Sequence, residues 1–166
     1  MKRLLLLSGL LSMAALTYAD VDGPYRPAFT QSKVYKFNWS NTDVVALGAS
    51  ATGELTVATI PDATIVTAVY VRITGQAAGV TTLTVSVGPD GAETTYIVAS
   101  NAKAAAGTIY GDATAEIGTT LIVATGAGPS FTSATTIKAL FTATIETLDA
   151  TTGSTGSIWV VTQKLP

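Results

Sequence analysis

Between Thr64 and Gly88 the chain alternates apolar and polar residues with a period of two, and this constrains its fold more than any other feature. The stretch TIVTAVYVRITGQAAGVTTLTVSVG reads as two β-strands, because a pleated strand sends successive side chains to opposite faces. On the first, Ile65, Thr67, Val69, Val71 and Ile73 point one way, while Ala68, Tyr70, Arg72 and Thr74 point the other. On the second, Leu83, Val85 and Val87 alternate with Thr82, Thr84 and Ser86. The segment Gly75-Gln76-Ala77-Ala78-Gly79 supplies glycine where the chain must reverse. The expectation is a hairpin with one buried face.

The 166 residues suffice for one domain of ordinary size. Only 12% are charged and 48% are hydrophobic, against roughly 25% charged in a typical soluble domain. Thr, Ser, Asn and Gln must therefore supply most of the polar surface. Threonine suits strands because its branched Cβ packs on a pleated surface. The net charge is −2, and no basic cluster exists outside Lys2-Arg3. Nucleic acid binding, which needs clustered cations, is not expected. Cysteine and histidine are both absent, which removes disulfides, thiolate metal sites, cysteine nucleophiles and imidazole bases.

Residues 1–19, MKRLLLLSGLLSMAALTYA, read as a secretory signal peptide. Lys2 and Arg3 are followed by the apolar run Leu4 to Leu16 and by small residues before Asp20. A retained anchor or an ordinary N-terminal helix are the alternatives; the run is shorter than the ~20 residues that span a bilayer. Removing these residues leaves seven cations against eleven carboxylates, or −4, and no expected membrane contact. Residues 20–32 form an extended arm, since Pro24 and Pro27 disfavour helix and ladder alike. Tyr25 and Phe29 are its candidate anchors on a neighbouring surface.

Residues 33–166 are expected to form a single β-sandwich domain. KVYKFNW (33–39) is a first strand, with Asp43 to Leu47 a short second one. Glu54 to Ile60 follows, with Leu55 and Val57 facing inward, and Pro61-Asp62-Ala63 makes a turn. Gly88-Pro89-Asp90-Gly91 is the clearest turn in the chain. Ala92 to Ala99 is a strand, Ser100 to Ala106 a brief helical turn, and Thr119 to Thr125 another strand. From Thr135 to Leu148 runs the longest alternation. It places Ile137, Ala139, Phe141, Ala143 and Ile145 inside, and Leu140 and Leu148 on an outer contact face. Ser157 to Leu165 closes the chain. Eight to ten strands at this spacing predict an all-β antiparallel sandwich or jelly roll.

No catalytic arrangement stands out: there is no GxSxG and no phosphate-cradling loop. Glu93, Glu116 and Glu146 would serve glycoside hydrolysis only if two of them met at about 5–9.5 Å. Asp62, Asp90 and Asp112 lie at turns where calcium ligands occur, but they match no known loop. No metal, cofactor or enzymatic activity is therefore expected. An aromatic platform for sugar would draw on Trp39, Tyr70 and Tyr110, and Tyr70 is the best surface candidate.

The run LTVATIPDATIVTAVYVRITG, followed by TTLTVSVGPDG, TTYIVAS and the terminal GSIWVVTQKLP, resembles small β-sandwich virion proteins of tailed bacteriophages. These are of the head-decoration or head-fibre type, and the likeness spans residues 33–166. It implies a non-enzymatic virion subunit that self-associates, often as a trimer, and docks on capsid or other virion proteins. The signal-like N-terminus favours a second reading, a secreted bacterial surface or matrix protein that binds carbohydrate.

Overall fold

The computed structural model describes residues 31–111 and 131–165. The signal-like segment, residues 20–30 of the arm with Tyr25 and Phe29, Asp112, Glu116 and the expected strand at 119–125 lie outside the described residues, while Gln31 and Ser32 already belong to the first strand. Among the described residues eight strands run in order: β1 (Gln31–Trp39), β2 (Thr52–Ile60), β3 (Thr64–Gly75), β4 (Thr82–Pro89), β5 (Ile97–Asn101), β6 (Ile109–Tyr110), β7 (Thr135–Thr144) and β8 (Thr155–Lys164). A short helix α1 (Asn41–Val45) joins β1 to β2, and a 3₁₀ turn at Leu148–Ala150 lies between β7 and β8.

The pairings nest like one long antiparallel hairpin: β1 with β8, β2 with β7, β3 with β6, and β4 with β5. Rolling that hairpin up adds two further pairings, β8 with β3 and β7 with β4. Two four-stranded sheets result, sheet A in the order β1-β8-β3-β6 and sheet B in the order β2-β7-β4-β5. This is an eight-stranded jelly roll, and the all-β sandwich expected from the alternation is what forms.

The stretch Thr64–Gly88 is not a hairpin. β3 lies in sheet A and β4 in sheet B, so the connection crosses the end of the sandwich. Ala77 and Val80 in that connection are buried in the core, which commits it to the crossing. Ala78 exchanges backbone hydrogen bonds with Thr152 in the neighbouring β7–β8 crossing (2.7 and 2.9 Å). Gly79 (φ +80°) passes so close to the Ala150 carbonyl that no side chain fits. The tight reversal lies instead between β4 and β5, where Ala92 N–H bonds the Pro89 carbonyl (2.8 Å).

Inward-facing residues of both sheets make one core, with Val69, Val71, Ile73, Ile158 and Val160 from sheet A against Leu83, Val85, Val87, Ile137 and Phe141 from sheet B. The parity of β3 changes at a bulge between Val66 and Ala68. Val66 therefore faces the core and Thr67 faces solvent, contrary to the simple alternation. Trp39 packs edge-on against Phe141 (5.6 Å between centroids) and donates from Nε1 to Ser154 Oγ (3.3 Å). Its indole lies directly on Gly156, its register partner in β8.

Three further local expectations are corrected. Asp43 to Leu47 is not a strand, because Ser40 caps α1. The Asp43 carboxylate accepts from Ser40 N–H and from its hydroxyl (both 2.7 Å), while Asp43 N–H donates to Ser40 Oγ (3.4 Å). Ser100 starts no helix: it sits inside β5, bonded to the Val98 carbonyl (3.0 Å), and an Asn101–Lys103 turn follows. The strand expected at 92–99 begins only at Ile97, after turns at 92–95.

The Ser40 hydrogen bonds hold the Asp43 carboxyl below the usual aspartate range, the backbone N–H contributing most, then the hydroxyl, with burial opposing. A carboxyl lowered on folding stabilises the fold above its unfolded-state titration, and that contribution fades as pH falls through its folded-state titration. Ser40→Ala is accordingly expected to cost about 1 kcal/mol at neutral pH. Thermal melts should show the gap narrowing but not closing in acid, because only the bond from the hydroxyl to the carboxylate depends on charge, while the cap bond from Asp43 N–H to the hydroxyl does not. A gap of equal size at neutral pH and below the carboxylate range would show that the ionised Asp43 carboxylate gains nothing from the Ser40 hydroxyl.

Candidate functional site

Each sequence-predicted site residue within the described segments has a definite place; Tyr25, Phe29, Asp112 and Glu116 lie outside them. Leu148, expected on an outer face, is fully buried. The alternation of β7 ends at Thr144 and the chain turns at Ile145, so extrapolating the strand gave both residues the wrong environment. Ile145, expected inside, is 86% exposed and has φ +79°, an unfavourable conformation for a β-branched residue. The neighbouring Glu146 accepts from Thr81 N–H (2.9 Å) and hydroxyl (2.6 Å), which ties this turn to the start of β4 and lowers the Glu146 carboxyl. Leu140 is half-buried on the outer face of sheet B.

Glu93 and Glu146 do not meet. Glu146 sits at the start of β4 and Glu93 just beyond its end, a separation of about 25 Å at strand rise. Glu93 clusters instead with Glu54 and Asp90, their carboxylate oxygens within 4.8 Å of one another. Lys138 bridges Glu54 (2.7 Å) and Asp90 (2.8 Å), and hydrogen bonds to Asp90 and then Glu54 hold its ammonium above the ordinary lysine range. That ammonium pairs with two of the three carboxylates and offsets one of their three charges. Asp62 lies apart, in the β2–β3 turn.

Trp39 is buried, so it serves no sugar platform. Tyr110 is half-buried, with its hydroxyl bonded to the Asn101 carbonyl (2.7 Å). Tyr96 is a core residue whose phenol burial pushes up to about 12. Tyr70 is 37% exposed, as its place on β3 predicts.

Tyr70 does not stand alone. Strand register aligns Lys36, Trp159 and Tyr70 across the outer face of sheet A. The next rung carries Asn38, Ser157, Arg72 and Ile109, and the one before it Val34, Val161 and Ala68. Lys36 Nζ lies 5.5 Å from the Trp159 ring centroid, a cation–π contact. Val34 is 57% exposed and Ile109 45%. Among the described residues no strand of sheet A carries Asp or Glu. Among the described residues neither Lys36 nor Arg72 has an ion-pair partner. This face combines exposed apolar area, two aromatic rings and unpaired cations. The long sheet edges are guarded: β1 carries Lys33 and Lys36, and β2 is bulged between Thr56 and Ala58. The face, not an edge, is the stronger candidate for a contact.

No family model matches the chain, and no curated protein matches it. Among solved structures it is similar to a chain described as "Cyanophage Pam1 capsid asymmetric unit", at 20% identity and a TM-score of 0.49, over 90% of this chain and 95% of that one.

Proposed function

We propose that the protein is a non-enzymatic structural subunit of a phage virion, a capsid-decoration or fibre component that docks through a sheet face. The observation that carries the reading is the outer face of sheet A, where Tyr70, Trp159, Val34 and Ile109 are gathered with Lys36 and Arg72. A surface with that much apolar area is suited to being covered. The jelly roll supports the reading by analogy only: viral capsid domains use this fold, as do lectins.

Mass spectrometry of particles purified from cells carrying the gene tests it. The protein is expected in those particles at the stoichiometry of a structural subunit. Its absence would overturn the proposal. The second reading, a secreted carbohydrate-binding protein, draws on the adjacency of Tyr70 and Trp159. Glycan-array binding together with absence from particles would favour it.

A further inference from the structure

We propose that the outer face of sheet A docks onto a second copy of this chain, at the carboxylates beside the β4–β5 turn of that copy's sheet B. This deepens the structural-subunit reading and rests on it for its biological setting, but the contact follows from the charge layout of the described residues. On sheet A, Lys36 and Arg72 flank Trp159 and Tyr70, with Val34 and Ile109 at the margins and no carboxylate on any strand. On sheet B, Glu54, Asp90 and Glu93 converge around a single ammonium, Lys138. Three carboxylates against one cation leave an excess of −2 at that spot. Each copy thus bears one cationic, aromatic face and one acidic site on opposite sides of the sandwich.

Two copies placed face A to face A would oppose like charges, which disfavours a symmetric dimer. Face A against sheet B pairs opposite charges and lets the apolar rungs of sheet A be covered. Such a contact is head-to-tail, leaving one unused face at each end, and so propagates or closes into a ring. Exposed charges of this kind steer and select a partner more than they add affinity, and salt screens them beyond about 8 Å at physiological strength.

Sedimentation velocity of the full chain provides the test. The wild type is expected to associate as concentration rises, and less so in high salt. The charge reversal Lys36→Glu with Arg72→Glu, at exposed positions, is expected to weaken association at least about tenfold. Asp90→Lys with Glu93→Lys should do the same. Mixing the two double variants should restore association, because each reversed face then meets a complementary one. A carbodiimide cross-link between Lys36 of one copy and Asp90 or Glu93 of another, read in a mixture of isotopically distinct wild-type chains, checks the same contact without substitution. A monomeric wild type, variants that associate like wild type, a mixture that stays monomeric, or cross-links absent from associated chains would each overturn the proposal. These measurements use the purified chain, so they fail separately from its detection in particles.

Discussion

Gly156→Ala is expected to cost about 3 kcal/mol, the upper range for overpacking a close-packed interior, and to lower the melting temperature by roughly 10 °C. Gly156 is buried in β8, opposite Trp39 on one side and Ile73 on the other. A Cβ there would overlap Cη2 and Cζ2 of the Trp39 indole and lie 2.6 Å from the Arg72 carbonyl oxygen. The indole cannot step aside freely, because it is held against Phe141 and bonded to Ser154. The carbonyl belongs to the β3 backbone and cannot move without disturbing the ladder. Scanning calorimetry measures the effect, and near-ultraviolet circular dichroism should report the displaced tryptophan. A melting temperature within a degree or two of wild type would mean that Trp39 does not rest on Gly156.

Phe141→Ala is expected to cost about 3–5 kcal/mol, through lost burial and a cavity between the sheets. Phe141 is fully buried on β7, the strand paired to both β2 and β4. Its partners there, Gly53 and Val85, cannot collapse into the vacated space without bending two ladders. Urea denaturation gives the loss directly. A double-mutant cycle with Trp39→Leu, which removes the ring, isolates the aromatic contact, expected at about 0.5–1.5 kcal/mol. A loss below about 1 kcal/mol for Phe141→Ala would contradict its place at the centre of the core.

The faces of the strands were legible in the sequence; their neighbours were not. Leu83, Val85 and Val87 on β4, and Ile137, Ala139, Phe141 and Ala143 on β7, are buried as the period of two requires. Period says which way a side chain points and nothing about which strand lies alongside. Hence β3 and β4, adjacent in sequence, were expected to pair, although their connection crosses between sheets. The helix α1 is too short for a 3.6-residue pattern to show, and its signal was the reciprocal Ser40–Asp43 cap. The fate of Leu148 was hidden by the positive φ of Ile145, which interrupts the alternation of β7.

The candidate surface was visible only in part. Tyr70 could be read as outward-facing from its own strand. Its companions Trp159 and Lys36 come from opposite ends of the described chain, and only the pairing of β8 with both β1 and β3 brings them together. The concentration of Glu54, Asp90 and Glu93 around Lys138 likewise arises from strand order and not from spacing in sequence.

The nested pairing also orders events during synthesis. The strand at Thr155–Lys164 lies between β1 and β3, so one whole layer lacks an inner member until those residues have been made. Contacts between such distant positions make closure slow relative to local structure. Until the ribosome releases that strand, the apolar side of β3 has no finished shelter, and a nascent chain stalled short of it exposes Val69, Val71 and Ile73 to whatever is nearby.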